Sequence, residues 1–391
     1  MVEEIGRTLR GIRRARGKSL DVIAGLAGIS PSYLSRLESG DRALDRRSLI
    51  ATLAGALEVA PSEITGSALA KPRERADDQA LQEVRSALLA VSLGEPRGEV
   101  QPVDQLRVRV ASVVAAQNDA ESAVVGAALP ALIRDLHTTT QHGSEAELLR
   151  LLPLAHVQGT QAWLTAVGAP IDLAWQAVLL GRWFAECLDD PIPHAVSAYG
   201  SALGLLSAGA FEHASRVLGA CELPLRSTEE IQLAGSLALA SSLVSAARGD
   251  RSEQSAALEH AAELSERTGE TNVLGFGFGP SNVAVWRMQG ALENGDHAGA
   301  AGIAERVRPE ALPVRARQAV YWRERGRALA QLPKRRDAAV SMLRKAEEIA
   351  PEHVHRHPLT CSTLTELVAK AKRDATGREL RGIAYRAGLH V

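Results

Sequence analysis

The sequence predicts an all-α protein in two parts, a five-helix head and a long body of stacked helices. Of its 391 residues 46% are hydrophobic but only 3% aromatic, so the core must be built from Ala, Leu and Val, and Ala and Leu are strong helix formers. Helix-length segments alternate with short breakers such as Gly94-Glu95-Pro96, Gly168-Ala169-Pro170, Gly249-Asp250 and Gly295-Asp296, and no stretch shows sustained strand-like alternation. The length suits one small domain and one large one.

Residues 1–66 read as a compact, Arg-rich helical unit, 67–78 as a polar, Pro-containing linker, and 79–391 as the body. In the head, Leu20, Ile23, Ala24 and Ala27 fall on one face of a helix, and Ala24 is small where a second helix must cross. Gly28 can take the left-handed conformation that ends this helix and turns the chain. Ser30 then caps a new helix, Pro31 takes its first position, and Ile29 staples onto Leu34, with Leu37 continuing the buried stripe. This spacing is that of a helix-turn-helix.

The segment from Gly28 to Gly40 (GISPSYLSRLESG), with the helices Ile5–Arg14 and Ser48–Ala54 around it, resembles the XRE family of regulators, which are similar to phage repressors. The resemblance covers the head and implies a lambda-repressor-like, five-helix DNA-binding domain. Residues on the exposed start of the second motif helix reach base edges in the major groove: here Ser32, Ser35 and Arg36, with Pro31 as a shape contact. Arg36 is either a bidentate guanine reader or a phosphate clamp. Ser30 serves as a cap beside backbone N–H groups able to hold a phosphate, and Tyr33 either packs on the surface or touches phosphate. Arg7, Arg13, Arg14, Arg16 and Lys18 form a basic cluster suited to phosphate. The resemblance gives Arg10 a structural ion pair with Glu38. Asp21 departs from the family, which often carries Gln there, and would repel a phosphate.

In the body, Gly209-Ala210, Gly249-Asp250 and Gly295-Asp296 each precede a helix and follow another, at spacings looser than the about 34 residues of tetratricopeptide units. Arg336 to Ala339, Ala346 and Ile349-Ala350-Pro351 form the clearest unit, which Pro351 stops. The body therefore reads as a degenerate helical-repeat array or an irregular bundle. Asp172 to Ala177, Thr268 to Asn272 and Phe278 to Val283 resemble actinobacterial XRE regulators with tetratricopeptide-like C-terminal domains. That resemblance implies a cytoplasmic regulator, often dimeric, whose repeat domain senses or interacts.

All five Trp lie in the body, where large aromatics fill the core or line a pocket. The ligand-contact candidates are Trp175, Arg182, Trp183, Phe276, Phe278, Asn282 and Trp286. Leu274 to Asn282, with three Gly and a Pro, is either a flexible lip over a ligand groove or a connection tucking Phe276 and Phe278 into the core. Asn282 is the leading contact if the effector is a peptide, because an amide donates and accepts at once.

Cys187, Cys221 and Cys361 form no C-x-x-C pair, which argues for a reducing compartment without a thiolate metal site. His353-Val-His-Arg-His357 reads as a surface loop rather than a metal site. No catalytic motif is present and no apolar stretch reaches the ~18 residues of a membrane span, so no enzyme, cofactor or membrane contact is expected. The expected partners are double-stranded DNA at a partly palindromic operator, a second copy of the chain, and a peptide or small-molecule effector. The alternative is a scaffold whose body docks a protein that controls DNA binding.

Overall fold

The computed structural model describes residues 5–65, 76–143 and 145–389, and these form an all-α structure whose one extended pairing is an isolated bridge between Thr271 and Phe278. Local chemistry sets the head. Ser19 accepts from the Val22 N–H and starts α2 (Leu20–Leu26); Ser30 accepts from the Tyr33 N–H and starts α3 (Pro31–Ser39). Gly28 between them has φ 65°, a conformation that costs a residue without Cβ little. Around this turn pack α1 (Ile5–Ala15), α4 (Arg47–Leu57) and α5 (Pro61–Thr65), burying Leu9, Ile23, Ala24, Leu34, Leu37 and Leu53. Most of the expected linker lies outside the described residues, although α6 (Ala76–Ser92) already starts within it.

The body opens with α6, α7 (Val103–Asn118), α8 (Ser122–His142), α9 (Ala146–Leu154), a π-helical segment at Ala155–Gln161, α10 (Ala162–Ala166) and α11 (Ile171–Ala185). These share a core that includes Leu88, Val110, Leu129, Leu152 and Trp163. Antiparallel pairs follow: α12 (Pro191–Ser207) with α13 (Phe211–Gly219), α14 (Thr228–Arg248) with α15 (Arg251–Thr268), α16 (Pro280–Glu293) with α17 (His297–Ala304), and α18 (Arg315–Ala330) with α19 (Arg336–Ile349). A short α20 (Pro351–His355) leads to α21 (Pro358–Ala369) and α22 (Ala375–Arg386). Gly209, Gly249 and Gly295, at φ 75°, 79° and 74°, make the turn inside the first three of these pairs, as the breaker pattern predicts.

The first helices stack, α12 on α14, α14 on α16, α16 on α18 and α18 on α21, and the chain curves until α18 meets α7. Helix α14 is long and apolar enough to cross a membrane by length and composition alone, but here it is the buried middle of this stack.

The π segment places His156 against His137 of α8, with their Nε2 atoms 2.8 Å apart and both rings buried. Burial holds His137 at about 4, and burial followed by the charge of His137 pushes His156 well down. Both are neutral in the folded protein near neutral pH, whereas unfolded His titrates near 6.5. Their contribution is therefore complete above about pH 6.5 and is lost as pH falls toward 4, each proton taken up only on unfolding costing about 1.4 kcal/mol per pH unit. Thermal unfolding followed from pH 7 to 4.5 is expected to show a progressive fall in Tm beginning near 6.5; a flat profile would contradict neutral burial of the pair.

Candidate nucleic-acid interface and the cavity behind it

Helix α3 turns Leu34, Leu37 and Glu38 inward and leaves Pro31, Ser32, Ser35, Arg36 and Ser39 exposed. Arg36 makes only a long bond, 3.4 Å, from Nε to the Ser32 carbonyl, so its guanidinium is available at the surface. Arg14 and Lys18 of the basic run 13–18 are also exposed, and Asp21 is exposed in the first turn of α2. Ser30 spends its hydroxyl as the cap. Tyr33 packs partly against the head's core.

Two assignments on α1 exchange. Arg13, not Arg10, pairs with Glu38: Nε donates to Oε1 at 2.6 Å and Nη2 to Oε2 at 2.8 Å, and Nη1 reaches the Lys18 carbonyl at 2.9 Å. Both side chains are buried, so Arg13 leaves the phosphate-facing set, while Arg10 is exposed. The geometry explains the exchange, since Arg13 lies four residues after Leu9 on the buried stripe of α1. Glu38→Gln leaves a buried guanidinium without its charge partner and is expected to cost about 3 kcal/mol, whereas Arg10→Ala falls within about 0.5 kcal/mol of the parent. Denaturant unfolding of the two variants reads the difference; equal effects would overturn the pairing.

The head sits against the inner wall of the body. The α4 N-cap, Arg46, gives no side-chain cap; instead Glu293 of α16 accepts from the Ser48 N–H at 2.9 Å and pairs with Arg47 at 3.3 Å. Just before it, the Ala43 N–H donates to Glu366 at 2.8 Å, the Leu44 N–H to Ser362 at 2.8 Å, and Arg327 donates to the Asp45 carbonyl at 2.7 Å. Arg327 belongs to a buried triad with Arg323 and Glu324. Burial alone would raise the Glu324 carboxyl, but Arg327 and Arg323 outweigh it and hold the group at about 2. Leu359 of α21 completes the head's own core.

Between head and body lies a cavity of about 530 Å³. The head contributes Arg47, Ile50, Ala51 and Pro61; the body contributes Gln161, Tyr199, Phe276, Trp286, Arg317, His353 and His357 among others. Residues Gln158, Gln161, Ala162 and Thr165 reach it from the π segment and α10, consistent with the association of π turns with sites.

Of the seven expected ligand contacts, Phe276 and Trp286 line this cavity. Phe278 is fully buried against Gly235, where a Cβ would lie 2.0 Å from its ring. Asn282 is buried and consumed internally, its Nδ2 donating to the Gly277 carbonyl at 2.7 Å and its Oδ1 accepting from Arg317 at 2.8 and 3.0 Å. Trp175 packs beside Gly204, Arg182 pairs with Glu186 at the surface, and Trp183 is 69% exposed. The Leu274 to Asn282 segment is pinned rather than a free lip: Gln232 holds Thr271 and Val273, and Asn272 holds the Gly277 N–H.

The histidine run is also corrected. It forms α20 and the cap of α21 instead of a surface loop, with His353 and His357 facing the cavity and His355 bonded to Glu347 at 2.6 Å. Burial first, then Arg323 and Arg317, push His353 down to about 3, and burial with Arg323 and Arg327 pushes His357 well down, so both are neutral. Among the described residues no cluster of His, Cys, Asp and Glu suits a metal.

Residues 4–65 match the family model of a helix-turn-helix domain. The head is a helix-turn-helix domain. No curated protein and no solved structure matches the chain, so the body rests on its own geometry.

Proposed function

We propose that the chain is a sequence-specific, DNA-binding transcriptional regulator of the XRE type, cytoplasmic and without enzymatic activity, whose tetratricopeptide-like body holds the helix-turn-helix head and binds an effector. The observation that carries this reading is the division of the head's surface. The exposed side of α3 faces solvent, while the α3–α4 loop, α4 and α5 face the body and its cavity. Ser32, Ser35 and Arg36 read bases, and Arg14 and Lys18 hold phosphates. An effector in the cavity touches head and body at once, so its differential affinity for docked and released heads shifts DNA affinity.

The dimeric part of the reading rests on apolar exposure. Leu179 and Trp183, one turn apart on α11, are exposed, as are Leu89 on the neighbouring α6 and Leu93 just after it, and exposed apolar side chains gathered in a patch mark an interaction surface. A second copy there would pair two heads for half-sites about 34–36 Å apart on a partly palindromic operator.

Selection of genomic fragments with the purified protein is expected to return a narrow, two-fold-related site, and Arg36→Ala to flatten the preference at one position by about 1–3 kcal/mol. Salt-sensitive binding without sequence preference would overturn the regulator reading and favour a docking scaffold. Trp183→Glu is expected to convert a dimer to monomer in sedimentation equilibrium; an unchanged mass would place the dimer contact elsewhere.

A further inference from the structure

The arginines around the cavity differ in their partners. Arg323 and Arg327 share Glu324, and Arg47 has Glu293. Arg317 forms none of the ion pairs found among the described residues; its polar partner is the neutral Asn282 amide, and its guanidinium carbon lies 5.3 Å from the centre of the Trp286 ring. Burial lowers it to about 10, so it still carries its charge at neutral pH. A cation withdrawn from water without a counter-ion is costly, and Asn282 and Trp286 hold this one at the cavity wall.

A second observation is independent. Gln289, one turn after Trp286 on α16, lines the same cavity and carries a buried amide oxygen with no hydrogen-bond partner. An orphaned acceptor of this kind calls for a donor, from a water or from an N–H or O–H on a ligand's skeleton rather than from its anionic group. The apolar surroundings are Trp286 and Phe276, the latter held edge-on by Tyr199 with ring centres 4.9 Å apart. The volume, about 530 Å³, is that of a small-molecule site, about 300–1,000 Å³. A peptide is disfavoured because the amide best suited to its backbone, Asn282, is already consumed.

We infer that the cavity takes a small organic anion, a carboxylate or sulfonate on an aromatic or apolar skeleton, with its charge on Arg317 and its skeleton against Trp286 and Phe276. This deepens, and rests on, the effector reading above. Glu352, the one carboxylate lining the cavity, sits on α20 with Arg356 nearby in the chain, so the wall as a whole is basic.

Two fluorescent probes test it in the full chain without DNA: anilinonaphthalene sulfonate, and uncharged phenylnaphthylamine with the same aromatic skeleton. The wild type is expected to bind the sulfonate at one site and more tightly than the uncharged dye. Arg317→Gln is expected to weaken the sulfonate roughly tenfold or more while changing the uncharged dye little, and Arg317→Lys to recover part of the loss. Ala166→Trp, which fills the cavity from a lining position on another helix, is expected to weaken both dyes, with circular dichroism showing that each variant is folded. Equal loss of both dyes in Arg317→Gln, no loss of either, or tighter wild-type binding of the uncharged dye would overturn the inference. The titration contains no DNA, so its failure leaves the DNA-binding reading standing, and failure of the operator selection leaves the anion site standing.

Discussion

Glu293 ties the two parts of the chain together through one carboxylate. A helix N-terminus presents N–H groups that need acceptors, and α4 supplies none from its own cap position, so α16 of the body caps it. The same carboxylate meets Arg47, and the loop just before α4 is held by Glu366, Ser362 and Arg327. Apart from the Arg47 pair, each of these bonds joins a backbone group of the head to a side chain of the body. Orientation of the head is thereby fixed by directional contacts rather than by apolar area, which alone would tolerate sliding.

That orientation creates the cavity. The stack of first helices presents small residues and aromatics toward its inside, and the head closes the space as a wall instead of filling it. The basic groups around the space are not equivalent. Those serving the docking contacts are matched by Glu293 or Glu324, and Arg317, which serves no docking contact, is matched by an amide.

Legibility in the sequence follows the range of the interaction. Ser30, Gly28 and the breakers at Gly209, Gly249 and Gly295 are readable because caps and turns are decided within a few residues. The Arg10 and Arg13 exchange was also readable: Ile5, Leu9 and Arg13 mark one stripe of α1, and only Arg13 lies on it. Pro351 and Pro358 flank the histidine run at first-turn positions of two helices, a signal that outweighs the alternation of the three rings. The fates of Trp183, exposed, and Asn282, consumed, were not readable, since they depend on which helices stack behind α11 and α16. Tyr199, Arg317 and Gln289 were missed for the same reason, being brought together from α12, α18 and α16.

Leu359 has a further consequence. It lies in α21, yet it belongs to the apolar core of the head, so the family boundary at residue 65 does not coincide with a boundary of hydrophobic burial. An excised head would present to water the surface that Leu359 covers, along with an uncapped α4. Separating the head from the body would therefore be partly a local melting, with a cost set by exposure of this apolar surface and loss of the α4 cap.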